Sequence, residues 1–549
     1  MIRRPHTVIL LTAVLACAGL AAVYGWGQRP RVARSDVEPV ALEVGPETTV
    51  VGGPLRDDGT VDYVAAINAI LSEGVTSETN AFVEVARLIR PDGWPDEAYR
   101  ARVFELLGVA VPGEEATYFV SMTRYAEERA DVSPWDETVQ RKDDEGSGQV
   151  ELMTSLGFST AASRMAWEVQ WERALQGPWS ADEAPLVAEW LDEQDAALDR
   201  LVAGLSREAN WMPWVGRVDE AVVSQPLPAL GAVRSMARGL YARAHRRLDA
   251  GDAAGAAEDM LAIKQISRDL ASGVLLIEHL VGVSLAAMTP GLVSHLARDE
   301  APAAEKYRDW RDQLAVVSTP LRVDRAIDRG ERFLVLDFLQ RQSGSPAELL
   351  GVESTDVGEG LRLDRDRAMR RANVITNRLV EVVRRPARGA SQAGLQALQD
   401  ELEARAGSVH GGDRAERVED YLAQQQAEDR AATFTDVFVD LVLQASVSAA
   451  RSALSTTRSL ATREQVERIA LAVAGHRAAT GRYPQSLDEL VPAWLDAVPE
   501  DPFAEEPGTP ITYRVEADRV VIYSVGRDSE DDGGVDEIPD GDLVVEWPH

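Results

Sequence analysis

Apolar residues recur at intervals of three and four positions along most of the chain. From about Val61 to Thr480 this spacing predicts successive helices, because residues three and four positions apart share one face of a helix. The stripe from Ala256 to Leu270 is typical of the pattern and has one polar interruption, at Ser267. The pattern therefore predicts a mainly α protein, with residues 61–461 forming a large irregular body of helical hairpins.

The pattern changes after Tyr483. Short runs of β-branched and aromatic residues follow, separated by turn-forming residues, at Ile511–Val515, Val520–Ser524 and Leu543–Trp547. Together with the helical stretch that precedes them, these runs predict a small C-terminal α+β module over residues 462–549.

The segment around Gly251 predicts a tight helical hairpin. Leu240–Leu248 has the pattern of a helix, Gly251 can supply the left-handed residue that ends it, and Asp252 can cap the next helix. This turn resembles that of a tetratricopeptide repeat, but the signature does not recur at a fixed period. We therefore expect tetratricopeptide-like turns in places and no regular repeat array.

The N-terminus indicates export or membrane attachment. Arg3 and Arg4 precede an uncharged, mostly apolar run from Thr7 to Trp26, which as a helix would just cross a hydrocarbon layer of about 30 Å. Residues 27–60, rich in Pro, Gly, Val and Glu, then predict a tether. We expect the protein to be held on a membrane and to face the periplasm or the cell exterior. Arginines flank both sides of the apolar run, so the positive-inside rule does not decide the orientation.

Three interpretations of residues 1–26 remain open. The run is a retained signal anchor, a signal peptide cleaved near Ala16–Ala18, or a bacterial lipoprotein signal in which Val14–Cys17 resembles a lipobox. The apolar run continues past Cys17, which favours the anchor. The only cysteine of the chain lies at this position, which favours the lipobox.

Composition narrows the classes of function. The 549 residues include 57 Lys and Arg against 90 Asp and Glu, a formal net charge of −33 at pH 7. This charge argues against nonspecific binding of nucleic acid and against docking of the folded body on anionic lipid. With a single cysteine, the chain can form no internal disulfide and no Cys-X-X-Cys pair, and its seven histidines lack metal-ligand spacing.

Two features could carry chemistry, and for both a structural role is favoured. Glu278 and His279 lie in a nearly apolar helical stretch, but neighbours on a helix point about 100° apart and do not share one pocket. We expect both to be buried polar groups with partners. The tryptophans between Trp167 and Trp214 could line a groove for sugar rings or a peptide, yet large aromatic side chains more often fill gaps between helices.

Residues 462–549 contain an ordered series of short motifs. These are a helical stripe at Val466, Ile469 and Val473, then Gly481-Arg-Tyr-Pro484, Asp501-Pro-Phe503, Ser524-Val-Gly-Arg-Asp528 and Gly533-Gly534. The series resembles the soluble C-terminal domain of the major pseudopilins of type II secretion, and this resemblance implies the fold of their head. The helical body is similar to uncharacterised bacterial envelope proteins that carry such a module.

The acidic segment 528–542 is a candidate calcium site. Residues 496–546 hold sixteen carboxylates against three arginines, and such a concentration repels itself unless a cation or solvent relieves it. Calcium takes six to eight oxygen ligands from flexible acidic loops. Four acidic residues follow part of the ligand spacing of an EF-hand loop and are candidate ligands, namely Asp528, Glu530, Asp532 and Asp536. Pro539 occupies the position of the final EF-hand Glu, so the loop is not a complete EF-hand, and a solvated acidic turn is the alternative.

The pseudopilin resemblance implies calcium in the same loop. Members of that family bind calcium there, and Asp528 corresponds to the aspartate of their Ser-Leu-Gly-Ala-Asp segment. Asp542 corresponds to the aspartate of their closing Ala-Asp-Ile and joins the candidate ligands. Ser529 replaces the family's glycine, which puts the local turn in question.

Two classes of function follow. The first is a membrane-tethered protein whose helical scaffold and calcium-binding head bind envelope or secretion-system proteins, or cell-surface polymers. The alternative is an extracytoplasmic hydrolase with a carboxylate-based site in the body, for which two carboxyl groups about 5–10 Å apart would line a cleft. No catalytic motif favours the hydrolase. Residues 1–26 lack the pseudopilin leader site, and the body separates them from the head, so we expect no assembly into filaments.

Replacing Cys17 by alanine separates the lipobox from the spanning helix. If residues 7–26 span the membrane, the variant stays in the membrane fraction like the wild type, because no attachment depends on the thiol. If a lipid on Cys17 attaches the protein, the variant is released or misprocessed. We expect retention, measured by cell fractionation, with protease shaving of intact cells reporting the outward face. A soluble cytoplasmic protein with residue 1 intact would contradict membrane attachment altogether.

Overall fold

The computed structural model describes residues 42–129, 159–216, 221–222, 225–318, 322–342, 362–407, 418, 421–426, 429–536 and 541–548. The N-terminal run Thr7–Trp26, with Cys17, lies outside these residues. Within them the chain is mainly helical and ends in one small antiparallel sheet, which confirms the expected fold class. The α-helices longer than one turn are α1 Tyr63–Leu71, α2 Phe82–Leu88, α3 Glu97–Leu106, α4 Met122–Arg129, α5 Ser159–Ala174, α6 Pro185–Leu205, α7 Pro228–Asp249, α8 Ala253–Ala271, α9 Leu276–Ala286, α10 Pro290–Arg298, α11 Ala304–Val317, α12 Arg332–Arg341, α13 Arg365–Val383, α14 Arg388–Ala406 and α15 Arg430–Thr480.

The sheet consists of β1 Thr512–Val515, β2 Arg519–Ser524 and β3 Leu543–Pro548. Its order is β1-β2-β3, and both pairs are antiparallel. Each strand begins and ends within one residue of the run predicted from the sequence. The alternating β-branched residues at these positions suit a pleated surface with one face packed on a helix.

The apolar side chains form two large cores. The first contains side chains of α2, α3, α6, α7, α8, α10 and α11, together with those of the sheet. The second contains side chains of α1, α12, α13 and α14. Helix α15 enters both, with Phe434–Leu454 in the second core and Val466–Ala474 in the first.

Helix α15 therefore joins the body to the C-terminal module. Its 51 residues run without a break through the predicted boundary at 461/462. On the side of the module, Ile469 and Val473 belong to the same core cluster as Val545 and Trp547 of β3. The module consequently shares both a helix and a core with the body.

The hairpin predicted around Gly251 is present. Helices α7 and α8 pack against each other, and Gly251 between them has the left-handed φ of 76°. Asp252 caps α8, since its Oδ1 accepts a hydrogen bond of 2.9 Å from the amide of Gly255. The sequence thus identifies this turn correctly from its cap residues alone.

Residues 42–60, which the composition assigned to the tether, are docked on the body. The Asn373 side chain donates hydrogen bonds to the carbonyl oxygens of Glu47 (2.9 Å) and Thr48 (2.7 Å). Thr48 and Thr49 are buried, and the Tyr63 hydroxyl donates to the carbonyl of Thr49 at 3.0 Å. Assigning residues 42–60 to a free tether is therefore wrong. A composition rich in Pro and Gly argues against a helix but does not prevent docking through backbone hydrogen bonds.

Two stretches, Leu276–Arg298 and Arg430–Thr480, are long and apolar enough to cross a membrane by length and composition. Both are mostly buried inside the folded body, with 72% and 78% of their most apolar windows covered. Core helices of soluble proteins share these properties. The two stretches are thus compatible with membrane association, and packing between helices also accounts for their apolar character.

A buried ion-pair cluster links α8 to α15. The Lys264 ammonium has no exposed surface and lies 2.7 Å from Glu467 Oε2 and 3.3 Å from Glu464 Oε1. Glu467 Oε1 also accepts a hydrogen bond of 2.9 Å from the Thr289 hydroxyl. Burial acts to lower the pKa of Lys264, but the two carboxylates outweigh it and hold that pKa above its usual value. Lys264 therefore stays charged and neutralises two carboxylates that are largely shielded from water.

Replacing Lys264 by methionine should lower the free energy of unfolding by about 3–5 kcal/mol, because it leaves buried carboxylates without a counter-charge. The matched control is Lys306→Met, the same chemical change at an exposed lysine, where we expect a change within about 0.5 kcal/mol. Chemical denaturation of the full chain measures both. Equal stabilities of the two variants would contradict the role assigned to the buried cluster.

Candidate functional site

The acidic loop between β2 and β3 is fixed at its start by Asp501. This buried carboxylate accepts hydrogen bonds from the Ser524 hydroxyl (2.7 Å) and from the amides of Val525 and Phe503 (both 2.9 Å). The Asp501-Pro-Phe503 turn is thereby clamped to the end of β2. Two of the motifs that the sequence analysis singled out are in direct contact, which gives a physical reason for their occurring together.

The turn at Ser529 forms without a glycine. Ser529 has a φ of 65°, in the left-handed region that favours glycine. Its hydroxyl oxygen accepts a hydrogen bond of 3.0 Å from Arg388 of α14, and Asp528 Oδ1 accepts one of 3.1 Å from the amide of Glu530. The serine at this position is therefore accommodated, and contacts from the body hold it in place.

Asp531 is a structural residue of the loop that the sequence analysis did not single out. Its Oδ1 accepts hydrogen bonds from the Tyr523 hydroxyl (2.8 Å) and the Gly533 amide (2.9 Å). The Arg514 guanidinium lies 3.7 Å from the same oxygen and 5.0 Å from the centre of the Tyr523 ring. Asp531 thus ties the middle of the loop to the sheet.

Asp542, just before β3, is the most unusual carboxylate of the loop. The residue has no exposed surface, and its Oδ2 accepts a hydrogen bond of 2.7 Å from the Gly534 amide. Its Oδ1 is buried without a hydrogen-bond partner. Burial raises the pKa of Asp542, and the nearby negative charge of Asp532 raises it further. The backbone amides around the carboxylate act to lower it but do not outweigh these effects. The ionised carboxylate therefore lacks part of the compensation that a buried charge requires.

Among the five candidate calcium ligands, Asp532 carries a charge that acts on the carboxylate of Asp542, but Asp532 is itself exposed. Asp536 instead lies 3.4 Å from Arg463 of α15, while Asp528 and Glu530 are exposed. Across the described ranges, no three His, Cys, Asp or Glu side chains form a group that could hold a metal ion. Residues 537–540 of the loop lie outside those ranges. Any further oxygen ligands for a cation at Asp542 would have to include groups other than these carboxylates.

Glu278 and His279 have separate partners, as expected. Glu278 accepts a hydrogen bond of 2.9 Å from the amide of Leu275 and so closes the first turn of α9. The His279 ring lies within hydrogen-bond distance of the Ala271 carbonyl (3.1 Å) and the Thr457 hydroxyl (2.6 Å). Both side chains are buried. They are core polar groups and do not form an acid–base pair.

The tryptophans fill gaps between helices. Trp179 and Trp190 have no exposed surface, and their ring nitrogens donate to the carbonyl oxygens of Ala242 (3.0 Å) and Val120 (2.8 Å). Trp171 packs edge-on against Trp190, with ring centres 5.5 Å apart. These contacts favour the packing role over an open binding groove.

Sequence reasoning missed the buried ion pairs of the body. Arg243 of α7 is almost fully buried and lies 2.7 Å from the buried Asp259 of α8. Lys264, one of only three lysines in the chain, follows directly on the apolar stripe position Ile263. In the sequence, the position of Lys264 beside the apolar stripe indicates a buried charge. It does not identify the carboxylates that pair with it.

Comparisons with protein-family models, with curated proteins and with solved structures find no match for this chain. The pseudopilin resemblance accordingly depends on the motif series alone. The contacts of Asp501, Asp531 and Asp542 fix the acidic loop against the sheet.

Replacing Gly534 by alanine tests whether the loop packs on β2. Gly534 has a φ of 82°, and a Cβ atom there would lie 2.9 Å from Val521 Cγ2. The matched control is Gly508→Ala, at a φ of 84° but with nothing within 4 Å of the added Cβ. The left-handed backbone should cost each variant about 1–2 kcal/mol. The contact with Val521 should cost Gly534→Ala about 1 kcal/mol more in denaturant titrations. Equal losses in the two variants would show that the loop does not press on β2.

Proposed function

We propose that the protein is a membrane-tethered extracytoplasmic scaffold with a calcium-binding, pseudopilin-like head that binds envelope or secretion-system proteins, or cell-surface polymers. The membrane tether is the apolar run Thr7–Trp26. The scaffold is the helical body, and the head is the part of α15 that packs on the three-stranded sheet, together with the acidic loop. In this proposal the chain binds partners and carries out no reaction.

The single observation that carries the calcium proposal is the Asp542 carboxylate. It is fully buried, one of its oxygens has no hydrogen-bond partner, and the carboxylate of Asp532 acts on it as a like charge. A divalent cation would satisfy the free oxygen and neutralise both charges. Asp532 and Asp542 would hold the ion, with Asp528, Glu530 and Asp536 as the remaining candidates.

The position of the loop suits a structural ion. Its start is clamped by Asp501, its middle is tied to β2 by Asp531, and its end is Asp542. A cation at Asp542 would therefore close a loop that is already fixed at two points, at a small entropic cost. Calcium bound there would stabilise the junction of the loop with β3.

The hydrolase alternative finds no specific support in the described residues. The cleft between α14 and α15 is lined by arginine, glutamine, serine and apolar side chains, with no carboxylate. A glycosidase-type mechanism needs two carboxyl groups facing each other across such a cleft. The described residues therefore favour the binding function over hydrolysis.

Calcium should raise the melting temperature of the full chain, because a ligand that binds only the folded state stabilises it. At a free concentration of about 100 times Kd the gain is about 2.7 kcal/mol. Asp542→Asn should abolish this response without lowering stability in chelator at pH 7, because burial already disfavours the charged form of Asp542. Its raised pKa means that stability is lost as the pH rises through it. The control Asp518→Asn, at an exposed carboxylate of the β1–β2 turn, should keep the full response.

Identical melting in calcium and in chelator would remove calcium from the proposal. A response to magnesium as large as that to calcium would indicate general screening of the acidic surface instead of a site.

Affinity capture of the tagged full chain from solubilised envelope tests the binding role. We expect envelope or secretion-system proteins, or surface polymer, to be enriched over the same capture with a tagged unrelated envelope protein. We further expect the enrichment to fall in Asp542→Asn if the calcium-bound head makes the contact. Equal material in both captures would contradict the scaffold function.

A further inference from the structure

A cleft of about 460 Å³ lies where the body meets the head. One wall is α14, the second is the middle of α15, and Phe503 of the Asp501 turn closes one side. The lining combines three cationic side chains with an apolar surface, namely Arg388, Arg451 and Arg458 with Leu395, Leu454 and Phe503. Its volume is within the range of sites for small organic ligands, about 300–1,000 Å³.

The three arginines form no ion pair with any carboxylate of the described chain. Arg458 donates to the Ser391 hydroxyl at 2.8 Å, and Arg451 donates to Gln396 Oε1 at 3.0 Å. The Nε of Arg451 is buried without a partner. Every polar contact described for these two guanidiniums is therefore with a neutral group.

Arg388 is held in the same way. It donates to the Ser529 hydroxyl at 3.0 Å and to the carbonyl of Arg527, and its guanidinium carbon lies 4.9 Å from the centre of the Phe503 ring. These contacts orient the guanidinium but do not neutralise it. The group is positioned between body and head with its charge unmatched.

Two arginines near the cleft do have a carboxylate partner. Arg405, also on α14, lies 2.9 Å from Glu401, and Arg378 of α13 lies 2.6 Å from the same residue. Although the chain has 33 more negative than positive charges, no described carboxylate pairs with the three half-buried guanidiniums of the cleft. Burial and the charge of Arg388 both lower the pKa of Arg458, so the like charges act on each other.

We propose that this cleft binds a small organic anion, with a carboxylate or phosphate group held by Arg388, Arg451 and Arg458. The apolar or aromatic part of the ligand would lie against Leu395, Leu454 and Phe503. Guanidinium groups match both oxyanions in geometry and bind them through paired charge-assisted hydrogen bonds. The site goes beyond the scaffold function proposed above and does not depend on calcium. Because its lining comes from α14, α15 and the head, an occupied cleft would bridge body and head.

Calorimetric titration of the full chain in detergent, at low ionic strength, tests the proposal with four probes. Phenyl phosphate and benzoate carry the two oxyanions on an aromatic ring, inorganic phosphate lacks the ring, and benzyl alcohol lacks the charge. We expect one or both aromatic anions to bind, and the tighter of the two identifies the oxyanion. Inorganic phosphate should bind more weakly than phenyl phosphate, and benzyl alcohol should not bind. Binding should weaken on raising the salt concentration, because screening reduces attraction between charges.

Two substitutions and one control complete the test. Arg458→Gln and Arg451→Gln should each weaken binding of the tighter probe by about tenfold or more, since each removes charged hydrogen bonds. Arg405→Gln, which removes an arginine outside the cleft, should leave the affinity within about twofold of the wild type.

The proposal is overturned if no aromatic anion binds at millimolar concentration, or if benzyl alcohol binds as well as they do. It is equally overturned if Arg451→Gln and Arg405→Gln bind the probe alike, which would place the anion elsewhere on the surface. Should Arg458→Gln fail to fold, Arg451→Gln decides alone. Failure of this test would leave the calcium response of Asp542 unaffected, because the two sites share no side chain among their assigned ligands.

Discussion

The structure depends on one constraint: a single 51-residue helix, α15, must satisfy two hydrophobic cores at once. Its first part packs with α12, α13 and α14, and its last part packs with the sheet and the first core. Because an α-helix is stiff along its axis, the head cannot move far relative to the body unless α15 breaks or one of the two cores becomes exposed. The head is therefore presented by the body as part of one rigid unit.

Two buried cations of the body are paired with carboxylates, whereas charged groups at the junction of body and head lack such partners. In the interior, Lys264 and Arg243 are matched by buried carboxylates, as groups in low dielectric surroundings require. At the junction, groups of both charges lack partners. One carboxylate oxygen of Asp542 accepts no hydrogen bond, and the three arginines of the cleft have no carboxylate partner. Unmatched groups of opposite sign, held by well-anchored elements, are what a protein needs to take up a cation and an anion. Both proposed binding sites are inferred from these unpaired charged groups.

Local patterns in the sequence predicted the local features of the fold. The three strands, the helical body and the Gly251–Asp252 hairpin follow from periodicity and cap residues, which act over a few positions. The contact between Lys264 and Glu467 joins residues about two hundred positions apart, and docking of residues 42–60 depends on Asn373; neither leaves a local signal. The same holds for the candidate sites. Spacing along the loop selected Asp532, but only the fold shows that Asp542 is buried and that Asp536 faces Arg463.

Native-state hydrogen exchange along α15 in the full chain tests the central claim most directly. If the helix belongs to one cooperative unit, the slowest amides near Val442 and those near Val473 will exchange with the same free energy of opening. Both free energies will then fall with the same dependence on denaturant concentration. Exchange of the region around Val473 together with the sheet, at a free energy well below that of Val442, would contradict the account. It would show that head and body unfold as separate units.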